Sequence, residues 1–209
     1  VIWDFNGTIL ADVELAAGSI SELLRRRGLP AISPEEHREA FQFPVSKYYE
    51  KLGFDLAKEP QTDVSDEFHE VYLAGVQDCS LNEGVREILD HFADAGTPQF
   101  VLSAAQEEMV VDWAEALGIQ DYFRGVYGLE DRLAATKIQR GQDLIRDFGL
   151  RASETLFVGD TDHDVEVARH LGCHPVAVLQ GHQGRDRFDD LDCFVLDSFH
   201  DLALKFEST

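Results

Sequence analysis

Two acidic motifs stand at opposite ends of this chain, and each closes a short apolar run. The first is Asp4-Phe5-Asn6-Gly7-Thr8, after Val1-Ile2-Trp3. The second is Gly159-Asp160-Thr161-Asp162-His163-Asp164, after Thr155-Leu156-Phe157-Val158. Apolar runs bounded by turn residues suit strands of a parallel sheet. Carboxylates just past such strands lie at the sheet's carboxyl edge, where open α/β folds bind ligands. Crowded there they repel one another, and a hard divalent cation such as Mg²⁺ relieves the repulsion. The plainer alternative is a pair of Asx turns. Two further residues suit work on an anion. Ser103 ends the apolar run Gln99–Leu102 and carries a hydroxyl donor. Lys137 opens a predicted helix and carries an ammonium. Their ordinary readings are a strand-end turn and a solvated helix residue.

The elements that position these groups follow from periodicity. From Asp12 to about Gln77 the pattern is helical. Val13, Ala16, Ala17, Ile20, Leu23 and Leu24 form one apolar stripe, and Ser33-Pro34-Glu35-Glu36 is a helix start. After Leu81 helices and strands alternate. Strands are predicted at Pro98–Ser103, Phe123–Tyr127, Leu156–Gly159, Pro175–Leu179 and Cys193–Leu196. Helices are predicted at Glu83–Ala95, Glu107–Leu117, Lys137–Phe148 and Val165–Leu171, the first ended by Gly96. Strands separated by helices mean βαβ units with right-handed crossovers. The expected fold is therefore α/β: a Rossmann-like three-layer core with a parallel sheet, plus an all-helical cap inserted after the first strand. The core is expected at 1–11 and 81–209, the cap at 12–80.

Composition narrows the function classes. A formal net charge of −22 offers no basic field for nucleic acid. Arg25-Arg26-Arg27 reads as a solvated helix end. No apolar run reaches the ~20 residues of a membrane helix. Cys79, Cys173 and Cys193 form no CxxC pair, which fits reduced thiols in a cytoplasmic protein. The chain opens inside a predicted strand, so a start Met and a few residues are expected to precede Val1. Asp160-x-Asp162-x-Asp164 imitates an EF-hand opening, but Val165 and Leu171 stand where that loop needs Gly and Glu. No P-loop and no dinucleotide fingerprint is present.

Taken together, these residues resemble the haloacid dehalogenase (HAD) superfamily, and within it the phosphoglycolate phosphatase-like and β-phosphoglucomutase-like members with a helical cap. Asp4-Phe5-Asn6-Gly7-Thr8 is similar to the first motif, Ser103 to the second, Lys137 to the third and Gly159 to Glu166 to the fourth. The resemblance implies that Asp4 is a nucleophile forming an aspartyl-phosphate. It implies Mg²⁺ held by Asp4, the backbone carbonyl of Asn6 and Asp160. Asp164 then accepts from a coordinated water or orients Lys137. Ser103, Lys137 and the backbone near Phe5 and Ala104 bind the phosphoryl oxygens. The implied substrate is a small phosphorylated metabolite, and the implied state a monomer or homodimer.

One position departs from the family. The first motif normally carries Asp two residues after the nucleophile, where it protonates the leaving oxygen and then activates water. Here that residue is Asn6, which cannot shuttle a proton; the loss is worth about 10²–10⁴-fold in rate. Four explanations stand open: a proton relay through another group, substrates with easily expelled leaving groups, a binding relative with little turnover, or a substitution that traps substrate. A pseudoenzyme that binds phospho-ligands and a phosphomutase are the competing functions; Asn6 weighs against the mutase. A phosphonatase would need a Schiff-base lysine, for which Lys47, Lys51 and Lys58 are the cap's candidates. His163 and His182 lie near the motifs and read first as a surface group and a loop residue.

Overall fold

The computed structural model describes residues 1–129 and 136–202. Six parallel strands form one sheet in the order β3-β2-β1-β4-β5-β6. They are β1 Ile2–Trp3, β2 Gln99–Gln106, β3 Phe123–Leu129, β4 Leu156–Gly159, β5 His174–Val178 and β6 Phe194–Leu196. The expected parallel α/β core is what the chain forms. The predicted strands fall within a few residues of these bounds.

Alternation along the strands builds the three layers. Ile2 pairs in register with Phe100 and Phe157, and Trp3 with Val101 and Val158. Successive side chains of a strand point to opposite faces. Ile2, Phe100, Leu102 and Phe157 therefore pack on one side with Leu144, Val167, Ala168 and Leu171 of the helices α7 (Lys137–Phe148) and α8 (Asp162–Leu171). Trp3, Val101, Val158 and Val176 pack on the other with α5 (Val85–Asp94) and α6 (Glu107–Ala116). Each large side chain so buried contributes about 1.5–3 kcal/mol. The Trp3 indole donates to Gln99 Oε1 at 3.1 Å, and Gln99 Nε2 donates onward to Leu89 O at 2.9 Å, so the buried polar atoms beneath the site are satisfied.

Between β1 and α5 the chain makes four α-helices: α1 Val13–Arg26, α2 Pro34–Ala40, α3 Val45–Lys51 and α4 Gln61–Leu73. They share a core of their own, built from Ile20, Leu23, Leu24, Ala40, Tyr48, Tyr49, Phe54 and Val64. Ala16 and Tyr72, at the ends nearest the sheet, join the main core instead. Arg26 and Arg27 close on Glu59 and Glu67, so the basic run is spent inside the insert.

The sheet's order reverses around β1 and β4, whose connections leave in opposite directions. The crevice at their carboxyl ends is the switch point where doubly wound sheets bind ligands. Both acidic clusters open there, and the helical insert leaves from the same edge.

Candidate active site

The loop after β1 is held by its own backbone. Asp12 Oδ1 accepts from Gly7 N at 2.7 Å, and Asn82 Nδ2 donates to Gly7 O and Thr8 O at 2.8 Å each. Gly7 has φ +74°, and a Cβ there would lie 2.3 Å from Asp160 Oδ2 and 2.5 Å from His182 Cδ2. Only glycine satisfies both the dihedral and the space. This close approach lets Thr8 Oγ1, fully buried, donate to Asp160 Oδ1 at 2.9 Å across the β1–β4 boundary.

Two helix starts supply the remaining groups. Thr136 caps α7 in a reciprocal box with Gln139, which sets Lys137 as the first helical residue. Its buried ammonium donates to Asp4 Oδ1 and, at 2.7 Å, to Asp164 Oδ1. Thr161 caps α8 in a box with Asp164, whose Oδ2 accepts Thr161 Oγ1 at 2.6 Å and Thr161 N at 3.0 Å. The Thr-x-x-Asp spacing starts α8 at Asp162, three residues before the apolar periodicity begins, which is why the predicted start at Val165 is late.

Asp4, Asp160 and Asp164 each offer an oxygen within 4.8 Å of the others, and all three residues are buried. Burial and the two neighbouring carboxylates push Asp4 well above the ordinary carboxylate range despite Lys137. Burial, with Asp164 adding to it, pushes Asp160 up to about 6 against the pull of His182. Burial would raise Asp164 too, but the Lys137 charge and its hydrogen bond outweigh it and hold Asp164 low. Burial alone would depress the Lys137 ammonium; Asp164 and then Asp4 outweigh that and raise it. One ammonium among three buried carboxylates leaves negative charge to balance. All-oxygen donors at the mouth of a crevice suit a hard divalent cation such as Mg²⁺.

A second network faces the first. Asn6 Nδ2 donates to Asp12 Oδ2 at 3.2 Å and to Tyr72 OH at 2.9 Å, and Tyr72 OH donates to Asp12 Oδ2 at 2.5 Å. His182 Nε2 lies 3.3 Å from Asp12 Oδ1, and its Nδ1 lies 3.0 Å from His37 Nε2; His37 Nδ1 reaches Tyr48 OH at 2.7 Å. Burial would lower the His182 imidazole, but Asp12, then Asp160 and Asp4, raise it to about 9. Burial and the His182 charge depress His37 to about 3. In the protonation that these directions favour, a cationic His182 would donate to Asp12 and to His37 Nε2, and a neutral His37 would donate to Tyr48. Burial raises Asp12, but His182, Tyr72 and Asn6 outweigh it and keep the carboxylate ionised.

The expected residues thus divide. Asp4, Lys137, Asp160 and Asp164 share one cluster. Ser103 is buried at the same edge by register, two positions past the Val101 that pairs with Trp3; its Oγ accepts from Ala105 N at 3.0 Å, which leaves the hydroxyl proton free to donate. Ala104 beside it is exposed. Asn6 sits at the cluster's rim with its amide turned to Asp12 and Tyr72. Lys47, Lys51 and Lys58 are all exposed, Lys58 pairing with Asp55 at 2.6 Å, so none is a buried amine suited to a Schiff base. His163 pairs with Glu166 at 3.3 Å on the surface side of α8. Sequence reasoning passed over Thr8, Asp12, Tyr72 and His37, and set His182 aside. A carboxylate heading the first helix, eight positions after Asp4, was the signal for Asp12.

Comparison with known proteins agrees with this geometry. The family model of haloacid dehalogenase-like hydrolases matches residues 1–178. A phosphoglycolate phosphatase of Pectobacterium atrosepticum is 28% identical, the match covering 96% of this chain and 88% of the relative. Among solved structures, a haloacid dehalogenase-like hydrolase from Streptococcus pneumoniae superposes with a TM-score of 0.84 at 17% identity, covering 98% of this chain and 96% of that one. CbbY from Rhodobacter sphaeroides, in complex with phosphate, superposes with a TM-score of 0.72 at 19% identity, covering 96% and 94%. With its doubly wound sheet, its carboxylate cluster at the switch point and a family match over most of its length, the chain belongs to the haloacid dehalogenase-like hydrolases.

Proposed function

We propose that this chain is a Mg²⁺-dependent phosphatase that hydrolyses a small phosphorylated metabolite through an aspartyl-phosphate on Asp4. The observation that carries the reading is the buried set Asp4, Asp160 and Asp164 at the sheet's switch point, with the Lys137 ammonium bridging Asp4 and Asp164. The relatives' phosphatase names support it. Mg²⁺, held by Asp4, Asp160 and the Asn6 carbonyl with Asp164 beyond it, would neutralise phosphoryl charge. Segments 1–11 and 81–209 would form the catalytic body, and 12–80 the cap that chooses the leaving group.

In this reading an oxygen of Asp4 attacks phosphorus in line, and the bond from phosphorus to the leaving oxygen breaks. Lys137 and the Ser103 hydroxyl hold the oxygens of the transferring group, where charge develops. Asp164 fixes Lys137 by one oxygen while Thr161 fixes Asp164 by the other. Water then attacks phosphorus, releasing phosphate and restoring the Asp4 carboxylate. Both steps lack a carboxylic acid at Asn6. Esters whose leaving groups need no protonation are therefore the favoured substrates.

A second reading, a phospho-ligand-binding relative with little turnover, draws on that same absence. Hydrolysis of p-nitrophenyl phosphate with Mg²⁺ and with EDTA separates the two. Turnover that EDTA abolishes supports the phosphatase. Saturable phosphate binding with no turnover supports the binding protein. A panel of phosphorylated metabolites then ranks substrates.

A further inference from the structure

The loop after β5 meets the helical insert and the acidic cluster through the same atoms. His182 N donates to Asp160 Oδ2 at 2.7 Å, and Gly181 O, at the other end of that peptide group, accepts from Arg38 Nε of α2 at 2.9 Å. The Gly181–His182 bond is trans, so its carbonyl and its N–H point in opposite directions, one outward to the insert and one inward to Asp160. The next two residues repeat the pattern. The His182 ring joins His37 of α2 to Asp12. Gln183 Nε2 donates to Phe41 O at 3.2 Å and to Asp162 Oδ1 at 3.0 Å, while its Oε1 accepts from Asp162 N at 2.6 Å. Three consecutive loop residues thus each hold one residue of the segment 37–41 on one side and the acidic cluster or its neighbours on the other. The fit leaves no slack: a Cβ on Gly181 would fall 2.2 Å from Asp160 Oδ2.

We propose that Arg38, which touches no group of the acidic cluster, is a positioning residue for Asp160, acting through the single peptide group 181–182. The proposal rests on Asp160 as a metal ligand. Among the described residues Arg38 closes no salt bridge, unlike Arg26 and Arg27 of the same insert, although its charge also reaches Glu35 one turn back. Its charge instead polarises the Gly181 carbonyl. Polarising one end of a peptide group strengthens donation at the other, so the His182 N–H holds Asp160 more firmly while the insert is docked. Without the Arg38 guanidinium the carbonyl loses its cation, the loop loses one of its three anchors to the insert, and the donor that Asp160 accepts is held less firmly.

The test compares Arg38→Ala, Arg38→Lys and the control Arg26→Ala in the full chain. Amide exchange across residues 179–184 is measured without metal, and Mg²⁺ affinity by calorimetry. Arg38→Ala is expected to speed exchange at His182 and to weaken Mg²⁺ binding about tenfold, the usual scale for losing an outer partner of a ligand. Arg38→Lys, which keeps a charge near the carbonyl, restores most of both, and Arg26→Ala changes neither. In p-nitrophenyl phosphate assays the Arg38→Ala defect shrinks as Mg²⁺ is raised. If Arg38→Ala exchanges at His182 and binds Mg²⁺ within twofold of the parent, the proposal is overturned. The exchange measurement needs neither metal nor substrate, so it still decides whether the insert positions the loop if the phosphatase reading fails. If Arg38→Ala does not fold, Arg38→Gln, which keeps most of the side chain's length without its charge, takes its place with the same expected and overturning results.

Discussion

Asn6 turns its amide nitrogen toward Asp12, with Nδ2 3.2 Å from Oδ2. Asp12 is already ionised, since His182 and Tyr72 stabilise its charge. The site is therefore arranged around a donor at position 6. An amide fills that role permanently, whereas a carboxylic acid fills it only while protonated. Placed beside buried Asp12, a carboxyl at position 6 would be kept protonated by like-charge repulsion, which is the state a general acid needs.

Asn6→Asp is accordingly expected to raise kcat for alkyl phosphates by about 10²-fold, within the usual worth of general acid–base help. For p-nitrophenyl phosphate, whose leaving group departs unaided, the gain should stay below about tenfold. Steady-state kinetics on the two substrate classes checks this. Equal gains, or none, contradict the role given to Asn6.

Lys137 balances two of the three carboxylates. Lys137→Met removes the ammonium and keeps most of the volume. In EDTA the variant is expected to lose about 3–5 kcal/mol, the cost of leaving a buried charge unpaired. Mg²⁺ should return much of that stability but not the activity, which falls by about 10²–10³-fold. Urea unfolding with and without Mg²⁺ checks the first part. A variant as stable as its parent in EDTA would mean that the cluster carries less charge than its geometry implies.

The His182–Asp12 pair makes stability depend on pH. His182 is raised to about 9 from an ordinary value of 6.5. A group whose pKa rises on folding contributes fully below its unfolded value and loses that contribution as pH climbs through its folded one. In EDTA, stability should therefore fall between pH 6.5 and 9, by an amount on the order of 3 kcal/mol. Asp12→Asn should flatten this slope. A parent curve that stays level over that window, measured by urea unfolding at several pH values, would show that His182 is neutral in the folded chain.

The parts of the site that were legible in the sequence are those with a local signature. Asp4 and Asp160 close apolar runs that had to be strands, Lys137 opens a helical run, and Asp164 lies in the same acidic cluster as Asp160. The sheet was legible for the same reason, because helices of regular length separate its strands. His182, His37, Tyr72 and Asp12 left no such trace. The links Tyr72–Asp12 and His37–His182 span 60 and 145 positions, and no periodicity connects their ends. Arg38 was hidden by its own helix, where a cation reads as a solvated residue. Its partner is a backbone carbonyl, which any sequence supplies.

Covalent capture of the intermediate tests the central claim most directly. Without an acid–base residue at position 6, water attack on the aspartyl-phosphate should be slow, so the phosphoenzyme should accumulate. The protein is mixed with Mg²⁺ and p-nitrophenyl phosphate, quenched in acid, digested and analysed by mass spectrometry. A phosphoryl group on Asp4, absent with EDTA and absent in Asp4→Asn, is the predicted result. Mg²⁺-dependent turnover with Asp4 unmodified at every quench time, or undiminished in Asp4→Asn, would contradict it.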